Sequence, residues 1–186
     1  PHVRLPLFDL ALPALRTLDE PSYRRLKSTV QSLTETDGRL SLFEFTLEYL
    51  LSRHLESRFA PDRRGVQIYG IRGVEQECSC VLTIMARVGS RDEATAQAAF
   101  AAGAALLHEP KATFSLLAPS ECGASRLRHS FAVLETASPQ IKRKLLAACR
   151  ECLVHDATVT VDEIELFRAV AAAIDVPVPP WLGSDG

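Results

Sequence analysis

The sequence predicts an all-α domain, and three observations carry that prediction. Apolar residues recur at three- and four-residue spacing through most of the 186 residues. Ala and Leu are abundant, β-branched runs are short and aromatic residues make up only 6%, a composition that favours helix. Stop and start signals separate the periodic segments, with Gly or Pro after one and Ser, Thr or Asp before the next. About eight helices and essentially no sheet are expected, in a single domain spanning residues 1–186.

"LPLFDLALPALRTL" reads as the first helix, kinked or split by Pro13. Asp19 and Pro21 open the second, whose stripe is Leu26, Val30 and Leu33 and which Asp37-Gly38 ends. Ser41 caps a third, carrying Phe45, Leu47, Leu50, Leu51 and Leu55. The period fails over residues 57–74, where "RFAPDRRGVQIYGIRG" reads as a loop with a short extended piece at Val66 to Tyr69. A fourth helix is expected over Glu75 to Val88, ending at Gly89, and an alanine-rich fifth, capped by Ser90, through about Leu107. The proline-containing connection "HEPKATFSLLAPSECG" leads to helices near Ser125 to Thr136, Ser138 to Val154 and Thr160 to Ile174.

The most specific organisational signal is an internal repeat. A gapless offset of 119 residues places Leu26 on Leu145, Val30 on Cys149, Leu33 on Cys152 and Asp37 on Asp156. It continues with Ser41 on Thr160, Glu44 on Glu163 and Leu47 on Leu166. The copies, residues 23–55 and 142–174, are each a helix, a turn and a second helix. A lone helical hairpin cannot bury its apolar stripe, so the two are expected to pack about a pseudo-twofold with the other helices covering the remainder.

Both turns have the grammar of helix caps. Ser41 with Glu44, and Thr160 with Glu163, have the spacing of a capping box. Gly38 suits the left-handed position after a helix, and Leu40 with Phe45, like Val159 with Ile164, is spaced as a hydrophobic staple. The acids also invite a metal-site reading, for which Asp37, Glu44, Asp156 and Glu163 are the candidates. Against it, counting from Asp37, calcium-loop positions 3 and 5 are Arg39 and Ser41, an unsuitable ligand set for a hard ion. No metal or other cofactor is expected in this chain.

Composition limits the function classes. A net charge of −2 gives no global attraction to nucleic acid, and none is expected as a partner. No apolar run approaches 18 residues, and no signal peptide opens the chain. It begins without Met, as expected of a chain processed or cut from something longer. The five cysteines, Cys78, Cys80, Cys122, Cys149 and Cys152, read as reduced thiols. Cys78 with Val81, Leu82 and Met85, and Cys149 and Cys152 with Leu145, Leu146 and Leu153, fall on helical core stripes rather than in zinc turns. Cys122 and His129 are seven residues apart, generic spacing for a nucleophile and base. "RLRH" at Arg126 to His129 and "KRK" at Lys142 to Lys144 are short, separated basic clusters that read first as solvated helix faces and only secondarily as candidates for proximity to an anionic membrane surface.

The paired acid-turn joins of an all-helical chain resemble the tellurite-resistance TerB-like fold. More narrowly, "LPLFDLALPALRTL", "TDGRLSLFEFTLEYLLSRHL" and "VTVDEIELFRAVAAAIDVPVPP" resemble the C-terminal cytosolic region of bacterial membrane-bound M48 zinc metallopeptidases. The similarity covers about Leu5 to Pro180, is weakest over Phe59 to Gly73, and departs at Ala157, where such sequences favour Gly. It implies a non-catalytic accessory, regulatory or interaction domain of a protein-quality-control protease, on the cytoplasmic side of the bacterial inner membrane. Its partner would be the protease domain of the same protein, lying N-terminal to Pro1, or another protein. Zinc would belong to that catalytic domain, because the His-Glu-x-x-His signature is absent here: "HEPKA" has Pro110 within it and Ala112 where the second His would stand. The alternative implied by the fold resemblance is a stand-alone TerB-like module that binds divalent metal in a stress response.

Overall fold

The computed structural model describes residues 4–36, 42–59, 65–155 and 158–177. Eight α-helices run through them: α1 (Arg4–Leu15), α2 (Glu20–Thr36), α3 (Leu42–Phe59), α4 (Glu75–Val88), α5 (Glu93–Leu106), α6 (Ala124–Glu135), α7 (Pro139–Val154) and α8 (Val161–Ala173). Two 3-10 turns, Ile71–Gly73 and Pro119–Glu121, lie between them. The architecture is all-α as the sequence predicts, and both copies of the repeat are helical pairs, α2 with α3 and α7 with α8.

At the centre is α4. Ten consecutive residues, Glu77 through Ala86, are buried. A helix buried all round must be enclosed by others, and α5, α6, α7 and α8 pack against it. The main core joins Cys78, Val81, Leu82 and Met85 of α4 with Phe131 and Leu134 of α6, Leu145 and Cys149 of α7, and Leu166 and Val170 of α8. From α3 come Phe45, Tyr49 and Leu50, with the Tyr49 ring 5.1 Å from that of Phe131 at 50°. Tyr23 and Leu51 form a separate small cluster beneath Leu15 and Leu26, tying α1 and α2 to α3.

Helices α5 and α7 approach closely, and a glycine makes it achievable. A Cβ on Gly103 would stand 2.5 Å from the Cys152 sulfur and 2.7 Å from the Ala148 carbonyl oxygen. Ala96 and Ala99 keep the rest of that face of α5 small and buried.

Several boundaries correct the sequence reading. Pro13 sits inside α1 without dividing it. Helix α3 runs to Phe59, past the expected loop start at 57, following the i+4 spacing of Leu51, Leu55 and Phe59. The cap of α5 is Asp92 rather than Ser90. The Asp92 carboxylate accepts from the Thr95 N–H at 2.8 Å, while the Ser90 hydroxyl donates back to the Ala86 carbonyl at 2.6 Å. The extended piece at Val66 to Tyr69 is a single parallel bridge: Ile68 N–H donates to the Thr136 carbonyl at 3.2 Å, and Ser138 N–H to the Ile68 carbonyl at 2.8 Å.

Candidate functional site

The second acidic turn can be followed atom by atom. Thr160 has extended backbone, and its hydroxyl accepts from the Glu163 N–H at 3.3 Å. Glu163 Oε2 in turn accepts from the Thr160 N–H at 2.5 Å and from its hydroxyl at 2.7 Å. This is the capping box the spacing predicts, and it engages one oxygen of the carboxylate considered as a metal ligand. Glu163 is only 3% exposed, and its other oxygen crowds Gly89 so closely that a Cβ there would collide. The N–H groups of a helix start and the dipole behind them favour this negative charge.

Of the other three candidate ligands, Glu44 is exposed in the first turn of α3. Asp37 and Asp156 lie outside the described residues, as does Ser41, the expected cap of α3. Among the described residues no group of three or more His, Cys, Asp or Glu side chains is arranged to hold a metal ion.

Four of the five thiols are inside the core. Cys78, Cys80 and Cys149 are 0% exposed and Cys152 is 5% exposed. Burial raises the Cys78 and Cys152 thiols to about 12, and pushes Cys149 well above its ordinary value, with Cys152 and Cys78 adding to the effect. A thiol so shifted stays protonated at neutral pH and is neither a nucleophile nor a ready metal ligand. Cys122, half-buried after the second 3-10 turn, is raised to about 12 by burial and by Cys80 beside it. His129 is turned elsewhere, its Nε2 3.9 Å from Glu77 and its side chain 61% exposed. The pair considered as nucleophile and base therefore has two different sets of neighbours.

"HEPKA" is a turn. His108 follows the end of α5, Pro110 and Lys111 make the bend, and Lys111 has a left-handed φ of 70°. Paired zinc-binding histidines need one face of a continuous helix, so this segment does not fit that metal.

Two polar arrangements escaped the sequence reading. Glu75, Ser79, Thr83 and Arg87 form an i+4 row along α4, and an extended segment is laced to it. The N–H of Thr113 donates to Glu75 Oε1 at 2.8 Å, that of Ser115 to the Ser79 hydroxyl at 3.3 Å and that of Leu117 to the Thr83 hydroxyl at 3.0 Å. Arg87 completes the row by donating to the Leu117 carbonyl at 3.0 Å, while holding Glu93 in a two-point ion pair. The local signal was available, as four polar residues four apart in an apolar helix facing alternate residues of "ATFSLLA". The second arrangement had no local signal. Arg128 of α6 donates to Glu48 of α3 at 2.6 Å, across 80 residues, with its guanidinium 5.1 Å from the centre of the Phe45 ring. Of the two basic clusters, "RLRH" thus makes internal bonds, since Arg126 also donates to Gln76 at 3.0 Å. In "KRK", Lys142 is buried and Arg143 and Lys144 are exposed.

Among the described residues, one apolar surface feature lies on α1. Leu7, Leu10, Ala11 and Ala14 of α1 are all exposed, Leu10 to 76%, at the i, i+3, i+4, i+7 positions of one helix face. Among the described residues no helix is long and apolar enough to cross a membrane.

Comparison with family models, curated proteins and solved structures returns no match.

Proposed function

We propose that this chain is a non-catalytic, all-helical interaction module, the cytosolic accessory domain of a membrane-bound M48-type zinc metallopeptidase. The observation that carries the reading is where the chemically capable side chains are spent. Glu163 is absorbed by a helix cap, four thiols by the core and Arg128 by Glu48. What the described surface offers instead is the apolar face of α1. The resemblance of the two hairpin sequences to that protease region supplies the identity of the module, and a pseudo-twofold between α2–α3 and α7–α8 is part of the same proposal. Its partner is the protease domain of the same polypeptide or a protein bound to it, on the cytoplasmic side of the bacterial inner membrane. The stand-alone metal-binding reading draws no support from Glu163, which is committed to the cap.

The test is the reading frame upstream of the Pro1 codon together with an activity assay. A His-Glu-x-x-His segment and apolar spans upstream, with no casein cleavage by the isolated chain, are expected. A frame that lacks them, or zinc-dependent and chelator-sensitive cleavage by this chain alone, overturns the reading.

A further inference from the structure

We propose that Cys80 and Cys122 are an oxidation site: a thiol pair that a small-molecule disulfide converts to an internal disulfide, fastening the connection between α5 and α6 to α4. The inference stands apart from the protease reading and rests on where the two sulfurs lie. Cys80 and Arg87, seven residues apart, share one face of α4. Arg87 donates to the Leu117 carbonyl and so holds the connection against the helix. The chain then turns at Pro119–Glu121, with the Cys122 N–H donating to the Pro119 carbonyl at 3.3 Å. Cys122 packs there against the core to which Cys80 belongs. Both residues of that α4 face are its neighbours: its thiol meets the Cys80 thiol side chain to side chain, within reach of the Arg87 charge.

Access separates this pair from the other thiols. Cys78, Cys149 and Cys152 also neighbour one another, but each is buried. Cys122 is half-buried, so an oxidant in solution reaches its sulfur first, and Cys80 lies directly behind it. The exchange has two steps. The Cys122 thiolate attacks one sulfur of the small disulfide, forming a mixed disulfide and releasing a small thiolate that takes up the proton Cys122 gave up. The Cys80 thiolate then attacks the Cys122 sulfur, forming the internal bond and expelling the second small thiolate, which takes up the Cys80 proton. Two protein thiols are oxidised and one small disulfide is reduced to two thiols. The first step is slow, because burial raises the Cys122 thiol and leaves little thiolate at neutral pH. Reversal is slow too. An external thiol can reach only the Cys122 sulfur, and its attack there must expel Cys80 into the core. The pair therefore records sustained oxidation rather than a brief pulse.

The folded chain is incubated overnight with glutathione disulfide at about pH 8.5, quenched in acid, then unfolded and alkylated for mass spectrometry. The wild type is expected to lose two of its five free thiols, with the Cys80 and Cys122 peptides joined and Cys78, Cys149 and Cys152 alkylated. The oxidised chain should also unfold at a higher temperature than the reduced one, because the bond closes a loop that includes all of α5. Cys122→Ser should keep all its remaining thiols free. Cys80→Ala should stop at the mixed disulfide on Cys122, and Cys149→Ser should still form the Cys80–Cys122 bond, with circular dichroism confirming that each variant is folded. A wild type that keeps five thiols or stops at the mixed disulfide overturns the proposal. So does an internal bond through Cys78, Cys149 or Cys152, or one that persists in folded Cys122→Ser.

Discussion

Single residues account for much of the local order, and three expectations follow at this scale. Thr160→Ala removes one half of the α8 capping box and leaves the Glu163 carboxylate without its hydroxyl partner. Its expected cost is about 0.5–2 kcal/mol, read by denaturant unfolding, with Thr160→Ser close to wild type. Glu165 of α8 is 5% exposed, and neither carboxylate oxygen has a hydrogen-bond partner. A buried polar group left unmatched costs about 1–3 kcal/mol. Glu165→Met, similar in volume and fully apolar, is therefore expected to raise the unfolding temperature, and a lower one would mean that the carboxylate has an unrecognised partner. The acid limb of stability has named sources. Arg87 holds the Glu93 carboxyl below its ordinary value, the Thr95 N–H and hydroxyl do so for Asp92, and the Ser22 hydroxyl and N–H for Asp19. A depressed carboxyl stabilises the fold above its unfolded value, about 4, and that contribution is lost as pH falls through the folded value. The unfolding temperature should thus be level from about pH 7 to 5 and decline below about 4, with Glu93→Gln flattening part of the decline.

Elements were legible where their signals are local. The start of α8 at Thr160 and the start of α7 at Ser138 follow from a cap residue and the periodic run behind it, and both stand where the sequence places them. The start of α5 was misread because Ser90 and Asp92 are both competent caps, and only the tertiary turn decides that Ser90 bonds backward to Ala86. The extended segment on α4 escaped for another reason: its partner is a row of side chains, present in the sequence as four polar residues four apart but not announced by a second strand. Likewise, Arg128 and Glu48 meet only because α6 and α3 pack side by side, which no spacing along the chain encodes. Gly103 interrupts an alanine-rich helix in the sequence, and in the fold it is a position where α5 meets α7. Gly103→Leu raises intrinsic helix propensity by up to about 1 kcal/mol. It also drives a side chain into the Ala148 carbonyl and the Cys152 sulfur, and overpacking of this kind costs about 1–3 kcal/mol or more. A net loss in urea unfolding is expected. A gain would mean that the helices can separate freely at this point.

For the molecule as a whole, the all-α class and the helix count follow from periodicity, while the enclosure of α4 follows from its unbroken run of buried residues. Of the four acids weighed as ligands, the described structure resolves the role of Glu163 as a cap. It is the residue at which the cap already takes one carboxylate oxygen: Oε2 accepts both bonds from Thr160, and only Oε1, which lies against Gly89, is left to face an ion. The measurement that bears most directly on this account is thermal unfolding of the purified chain with and without millimolar Ca²⁺, Mg²⁺ or Zn²⁺. The account predicts an unfolding temperature unchanged by each ion. A saturating rise with one of them, abolished by Asp37→Asn or Glu163→Gln, would contradict it and make the paired turns a metal site.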